Sequence, residues 1–145
     1  MSSTKNQPHP HCSAQPAGPK VRSTIRAMPS VLLVEDDADN RESISEALRS
    51  EGFQVNAVPT AAQALKLLDD PACPDLILLD LWMRGVSGGQ LLAAVALHQD
   101  RERFRVIVMS AAPDASAFAR RPRVVEVIRK PFALERLLAT VRRHA

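Results

Sequence analysis

Five short apolar runs, three of them continuous, are separated by longer segments of helical periodicity, and they constrain this chain more than any other feature. Residues 31–34, 76–79 and 106–109 are each four apolar residues in a row. Such runs are typical of strands buried on both faces of a parallel sheet. Between the runs, apolar residues recur at helical spacing. The pattern predicts an α/β fold of five βα units, with helices on both faces of one sheet.

Weaker signals complete the pattern. Residues 53–58 alternate as a second strand and residues 124–128 form a fifth. Thr60 is a plausible N-cap for the helix that follows it. We expect a Gly-rich loop over residues 85–89 and a short, poorly patterned fourth helix over 114–120. The last helix is marked by an apolar stripe of Leu134, Leu137, Leu138 and Val141.

The first 28 residues differ in composition from the rest. They are rich in Pro, Ser and Gln and have almost no large apolar side chains, which predicts a disordered tail before a domain at 29–145. The tail carries four bases and no acid, and the remaining 15 bases and 16 acids give the domain a net charge of −1. The basic pI therefore belongs to the tail, and we do not expect the domain to bind nucleic acid.

Targeting signals are not evident in the sequence. Cys12 in the tail and Cys73 in the domain make a poor disulfide framework. No apolar stretch approaches the roughly 20 residues of a membrane helix, and the N-terminus lacks the apolar core of a signal peptide. We therefore expect a cytoplasmic protein.

Polar residues follow four of the five predicted strands, where open parallel sheets form their sites. Glu35-Asp36-Asp37 follows the first strand, Asp80 the third, Ser110 the fourth and Lys130 the fifth. Clustered carboxylates repel one another unless a cation lies among them. Because all the candidate ligands are oxygens, we expect Mg²⁺.

The same residues suggest phosphoryl chemistry. A carboxylate can attack a phosphoryl group and form an acyl phosphate, whose oxygens then need a metal ion, a hydroxyl and a cation as partners. Each residue alone has an ordinary explanation: a solvated acid, a helix cap, a turn serine or a surface lysine. All four at the correct strand ends of one sheet favour the functional interpretation.

The segments VLLVEDD, LILLDLWM, VIVMSA and VIRKPF occur in an order and spacing that resemble the response-regulator receiver domains of two-component signalling, the CheY-like superfamily, over residues 30–144. The resemblance implies a flavodoxin-like (βα)5 sheet of order 2-1-3-4-5. It also implies Asp80 as the phosphoacceptor, Ser110 as the switch hydroxyl and Lys130 as the phosphate-pairing lysine. Mg²⁺ would be held by Asp36, Asp80 and the Trp82 backbone carbonyl, with Glu35 acting through water. A cis bond is expected at Lys130-Pro131.

Three departures from the family pattern affect the output surface. Arg84 replaces the usual Pro, Val127 replaces the aromatic switch residue, and the stretch between Ser110 and Lys130 is about two residues short. A basic face on the fourth helix, fifth strand and fifth helix suggests docking to an acidic partner protein. Its arginines are Arg120, Arg121, Arg123, Arg129, Arg136 and Arg142.

Two functions remain open. The first is a signalling module that receives a phosphoryl group from a histidine kinase or phosphotransfer protein, catalyses only its own phosphorylation and dephosphorylation, and acts on a separate partner, since no output domain follows. The second is a degenerate receiver that is never phosphorylated and acts as a protein-interaction module. A phosphatase is disfavoured because Trp82 occupies the position where such enzymes need a second acid.

Overall fold

The computed structural model describes residues 28–81 and 88–145. Within these residues, five parallel strands form one sheet in the order β2-β1-β3-β4-β5, which confirms the predicted flavodoxin-like topology. Most of the predicted tail lies outside the described residues. The strands are β1 (Ser30–Val34), β2 (Gln54–Val58), β3 (Leu76–Asp80), β4 (Arg105–Ser110) and β5 (Val124–Arg129).

Helices connect the strands. They are α1 (Ala38–Ser50), α2 (Ala61–Leu67), α3 (Gly88–Leu97) and α4 (Leu134–His144). The short fourth helix predicted over 114–120 is a 3-10 segment, Ala115–Arg120, in which Ala115 is buried and Phe118 packs against the core. A shorter 3-10 turn, Arg101–Arg103, precedes β4. Within the described ranges, none of the helices combines the length and the apolar content that crossing a bilayer requires.

The sheet separates two apolar cores. Leu32, Ile77 and Val106 face α2 and α3, whereas Leu33, Leu78 and Ile107 face α1 and α4. Every residue of the central strand β3 is buried, because strands flank it and helices cover both of its faces. The sheet therefore holds its carboxyl edge, where β1, β3 and β4 end, on a rigid framework.

Two sequence predictions are wrong in detail. Leu134 is 39% exposed and does not join Leu137 and Val141 in the core, because it is the first residue of α4. Helix α3 begins at Gly88, inside the predicted loop. A Cβ on Gly88 would lie 3.0 Å from Leu81 Cδ2 and 3.2 Å from Leu81 Cα, so the absent side chain lets the helix start close to the end of β3.

Thr60 caps α2, as the sequence predicts. Its hydroxyl accepts a hydrogen bond of 3.1 Å from the Gln63 amide. We expect Thr60→Ala to lower the free energy of unfolding by about 1 kcal/mol, because that amide loses its partner. Urea unfolding measures the change. Ser50→Ala, at an exposed hydroxyl that only bonds back to Glu46 O, is the control and should stay within about 0.5 kcal/mol of the parent.

Candidate functional site

Three carboxylates meet at the carboxyl edge of the sheet. Strand pairing aligns Val34 with Leu79, so the residues that follow, Glu35 and Asp80, lie side by side. Glu35, Asp36 and Asp80 each offer an oxygen, and these oxygens all lie within 4.8 Å of one another. Glu35 and Asp80 are buried and Asp36 is partly buried. Such spacing suits a small divalent cation bound through oxygen.

Lys130 brings a positive charge to these acids. It follows β5, and its Nζ lies 3.1 Å from Asp80 Oδ2 and 3.7 Å from Glu35 Oε2. The Lys130-Pro131 bond is cis, as expected. The Lys130 amide donates a hydrogen bond of 2.9 Å to Ser110 O, which ties the chain after β5 to the end of β4. The lysine is therefore fixed by the sheet on one side and by the carboxylates on the other.

Ser110 is buried at the end of β4. Because Asp80 pairs with Met109, Ser110 is one residue further along the neighbouring strand. Its hydroxyl oxygen accepts a hydrogen bond of 3.1 Å from the Ala112 amide. The hydroxyl proton remains available for a second partner, which an oxyanion near Asp80 could provide.

Glu35 is the most perturbed acid of the site. Burial, followed by hydrogen bonding and charge repulsion from Asp80, raises its pKa to about 7, although Lys130 and the Asp37 amide act in the opposite direction. Glu35 Oε2 is buried and accepts no hydrogen bond from the described residues. A buried carboxylate oxygen without a donor, beside two further acids, fits a metal ion as the missing partner.

The Glu35 pKa predicts a pH dependence of stability in the metal-free protein. The folded state keeps the Glu35 proton up to about pH 7, whereas an ordinary Glu loses it near 4.5. This contribution to stability is therefore complete below pH 4.5 and is lost as pH rises through 7. With a chelator present, we expect the stability of the parent relative to Glu35→Gln to fall by roughly 2 kcal/mol between pH 5 and pH 8.

Urea unfolding of the two proteins at several pH values measures this difference, in which the titration of all other groups cancels. Glu42→Gln, at an exposed position on α1, should run parallel to the parent. Parallel curves for the parent and Glu35→Gln would contradict a raised pKa at Glu35.

Two side chains contact the backbone between β1 and α1, and the sequence analysis missed the role of the second, Arg41. Asp37 caps α1 by accepting a hydrogen bond of 2.9 Å from the Asn40 amide. Arg41 Nη1 donates to Glu35 O at 2.9 Å and to Asp36 O at 3.4 Å. A base in the first turns of a helix is unfavourable to the helix dipole, and this was the available signal of another role.

Other predicted residues lie elsewhere. Trp82 and Arg84 are outside the described residues. Val127 packs against the core on the α2 and α3 side of the sheet. Arg123 donates to Phe104 O and pairs with Glu102, and Arg142 pairs with Glu51, the residue after α1, so these two contribute less to the predicted basic face. Three arginines of that face are exposed and form no ion pair with the described residues, namely Arg120, Arg129 and Arg136.

An apolar groove opens beside the acids. It has a volume of about 490 Å³ and lies between the first half of α1 and the connection from β5 to α4. Ile44, Phe132 and Leu134 give it apolar walls, and Glu35 and Lys130 form its end at the site. The groove therefore reaches the site at Glu35 and Lys130.

Two sequence relatives illustrate what the chain is similar to. It is 35% identical over 115 residues to the response regulator protein FleR of Pseudomonas aeruginosa, covering 79% of this chain and 24% of that protein. It is also 35% identical over 115 residues to the sensor histidine kinase TmoS of Ectopseudomonas mendocina, covering 78% of this chain and 12% of that protein. The chain thus spans a quarter or less of either relative.

Solved structures share the fold. A response regulator receiver protein from Pseudomonas putida superposes with a TM-score of 0.72 at 29% identity, covering 82% of this chain and 99% of that one. TrrA from Thermotoga maritima, solved in complex with Mg²⁺-BeF, gives a TM-score of 0.71 at 24% identity over 81% of this chain and all of that one. The family model of the response regulator receiver domain matches residues 31–142. The chain therefore belongs to the response regulator receiver domain family.

Proposed function

We propose that this receiver domain accepts a phosphoryl group on Asp80 in a Mg²⁺-dependent reaction and passes the signal to a separate protein. The observation that carries the proposal is the cluster of three carboxylates with Lys130 Nζ 3.1 Å from Asp80. The phosphodonor would be a histidine kinase or a histidine phosphotransfer protein. Asp80 oxygen forms the new bond to phosphorus as the bond from phosphorus to the donor imidazole breaks, and the imidazole leaves as the neutral ring after taking up a proton.

Each residue has a separate role in this proposal. Asp36 and Asp80 would bind Mg²⁺ directly, the Trp82 backbone carbonyl would complete the protein ligands, and Glu35 would act through water. When bound, Mg²⁺ supplies positive charge that offsets the phosphoryl oxygens. Lys130 would pair with one phosphoryl oxygen and the Ser110 hydroxyl would donate to another. The domain catalyses only its own phosphorylation and dephosphorylation.

The groove supports a docking role for the phosphodonor. Its apolar walls, Ile44, Phe132 and Leu134, could receive the apolar face of a donor helix while its end lies at Glu35 and Lys130. A histidine on that helix would then approach Asp80 from the open side of the site. Asp80 is buried, so the donor would have to reach it through such an opening.

The exposed arginines support an acidic downstream partner. Arg120, Arg129 and Arg136 have no ion-pair partner among the described residues and lie on the 3-10 segment, β5 and α4. Phosphorylation would shift the domain between two conformations through Ser110, and the partner would bind one of them more tightly. Charge complementarity would speed the encounter and make it sensitive to salt.

One experiment separates this function from that of a degenerate receiver. The protein is incubated with acetyl phosphate, with Mg²⁺ or with a chelator, and its intact mass is measured. We expect the mass of one phosphoryl group to be added only with Mg²⁺. No added mass in either condition would favour the unphosphorylated interaction module, which the intact acids, Ser110 and Lys130 otherwise oppose.

A further inference from the structure

We infer that Arg41 is a positioning residue for the metal pocket, acting on Asp36 through the backbone. The inference rests on the proposed Mg²⁺ site. The guanidinium of Arg41 donates to Glu35 O at 2.9 Å and to Asp36 O at 3.4 Å. These carbonyls belong to the two peptide groups on either side of the Asp36 Cα. One side chain thereby restrains both backbone dihedrals of Asp36, and with them the direction of its carboxylate.

Other contacts hold the two ends of this loop. On the strand side, the Glu35 amide donates to Val58 O at 3.1 Å. On the helix side, Asp37 binds the Asn40 amide at 2.9 Å. Arg41 therefore holds Asp36, the residue between the two anchored ends, by the carbonyls on both sides of its Cα.

The position of Arg41 argues against a role in helix stability alone. It lies four residues after the N-cap Asp37, where the helix dipole disfavours a positive charge. Alanine is a better helix former than arginine at an interior position. A purely structural interpretation therefore predicts that Arg41→Ala changes stability little, and it gives no reason for weaker metal binding.

Both contacts come from Nη1, whose two N–H groups have fixed directions in the plane of the arginine guanidinium. A lysine ammonium is a point charge on a flexible stem, so it could reach one carbonyl but would not hold both peptide groups in a fixed relation. Groups that orient metal ligands without touching the metal typically change metal affinity by about 10- to 100-fold when they are removed. Because Arg41 acts on a backbone, we expect the lower end of this range.

The test is Mg²⁺ affinity in the intact chain. Urea unfolding at increasing Mg²⁺ concentration gives the dissociation constant by linkage, and the fluorescence of Trp82, the single tryptophan, gives a second reading. We expect Arg41→Ala to raise the dissociation constant about tenfold and Arg41→Lys about threefold, with stability in a chelator close to that of the parent. Arg49→Ala, on the same helix with a contact of 3.5 Å to Val55 O, is the matched control and should bind like the parent.

The outcomes distinguish this inference from the proposed function. If the parent binds Mg²⁺ and Arg41→Ala binds equally well, the inference is wrong and the proposed function stands. Equal weakening in Arg41→Ala and Arg49→Ala would show a general effect of substitutions in α1 and would also overturn it. If Arg41→Ala does not fold, Arg41→Lys decides: unchanged affinity rejects the inference. A parent that binds no Mg²⁺ rejects both.

Discussion

Asp80→Asn should remain unlabelled after incubation with acetyl phosphate and Mg²⁺ under conditions that label the parent. The asparagine amide cannot form the acyl phosphate, because it lacks the second nucleophilic oxygen of a carboxylate. The substitution keeps the size and shape of the side chain, which matters because Asp80 is buried at the end of the central strand. Loss of labelling can therefore be assigned to the missing carboxylate.

Asp39→Asn is the matched control for this experiment. Asp39 is exposed in the first turn of α1, close in sequence to the acidic pair but outside the cluster of carboxylates. We expect it to be labelled at the parental rate. Intact mass measures the extent of labelling, and peptide mapping locates the group. Labelling of Asp80→Asn at the parental rate would move the phosphoacceptor to another residue.

Lys130→Met should lower the free energy of unfolding by about 2 kcal/mol at pH 8 in a chelator. Lys130 Nζ lies 3.1 Å from Asp80 and 3.7 Å from Glu35, so its loss leaves two buried carboxylates without their cation. Removing one partner of a fully buried pair costs about 3 to 5 kcal/mol. A quarter of the lysine side chain is exposed, and solvent screening reduces that figure.

The effect of Lys130→Met should depend on pH. Because the pKa of Glu35 is about 7 with the lysine present and the lysine lowers it, Glu35 in the variant takes up a proton more readily. The loss of stability should therefore be smaller at pH 6 than at pH 8. Urea unfolding at both pH values measures it, with Lys66→Met on the exposed face of α2 as the control. An equal loss at both pH values would indicate lost packing instead of lost charge.

The sheet could be predicted because three of its strands have a distinctive sequence pattern. Residues 31–34, 76–79 and 106–109 are continuous apolar runs, and each is buried in the structure. The topology then followed from a resemblance to a family. With the sheet order known, the pairing of Val34 with Leu79 accounts for the close approach of Glu35 and Asp80, residues that the sequence predicts to lie together.

Other features depend on contacts between distant or weakly patterned residues, which periodicity does not report. The early start of α3 at Gly88 depends on its approach to Leu81. The contacts of Arg41 with the backbone depend on the path of the loop after β1. Arg123 and Arg142, which the sequence analysis assigned to the basic face, form ion pairs with Glu102 and Glu51. The sequence pattern does not predict these pairs.

The alignment of strand ends has a consequence for how the domain can fail. Glu35, Asp80, Ser110 and Lys130 each stand at the tip of a different strand, so no fragment shorter than the span from β1 to the end of β5 contains them all. Partial unfolding of the edge strand β5 alone is then enough to remove Lys130 from the site. For the same reason, a ligand that bridges these tips would stabilise the four strands together against unfolding, and the gain would grow with the logarithm of its concentration above the dissociation constant.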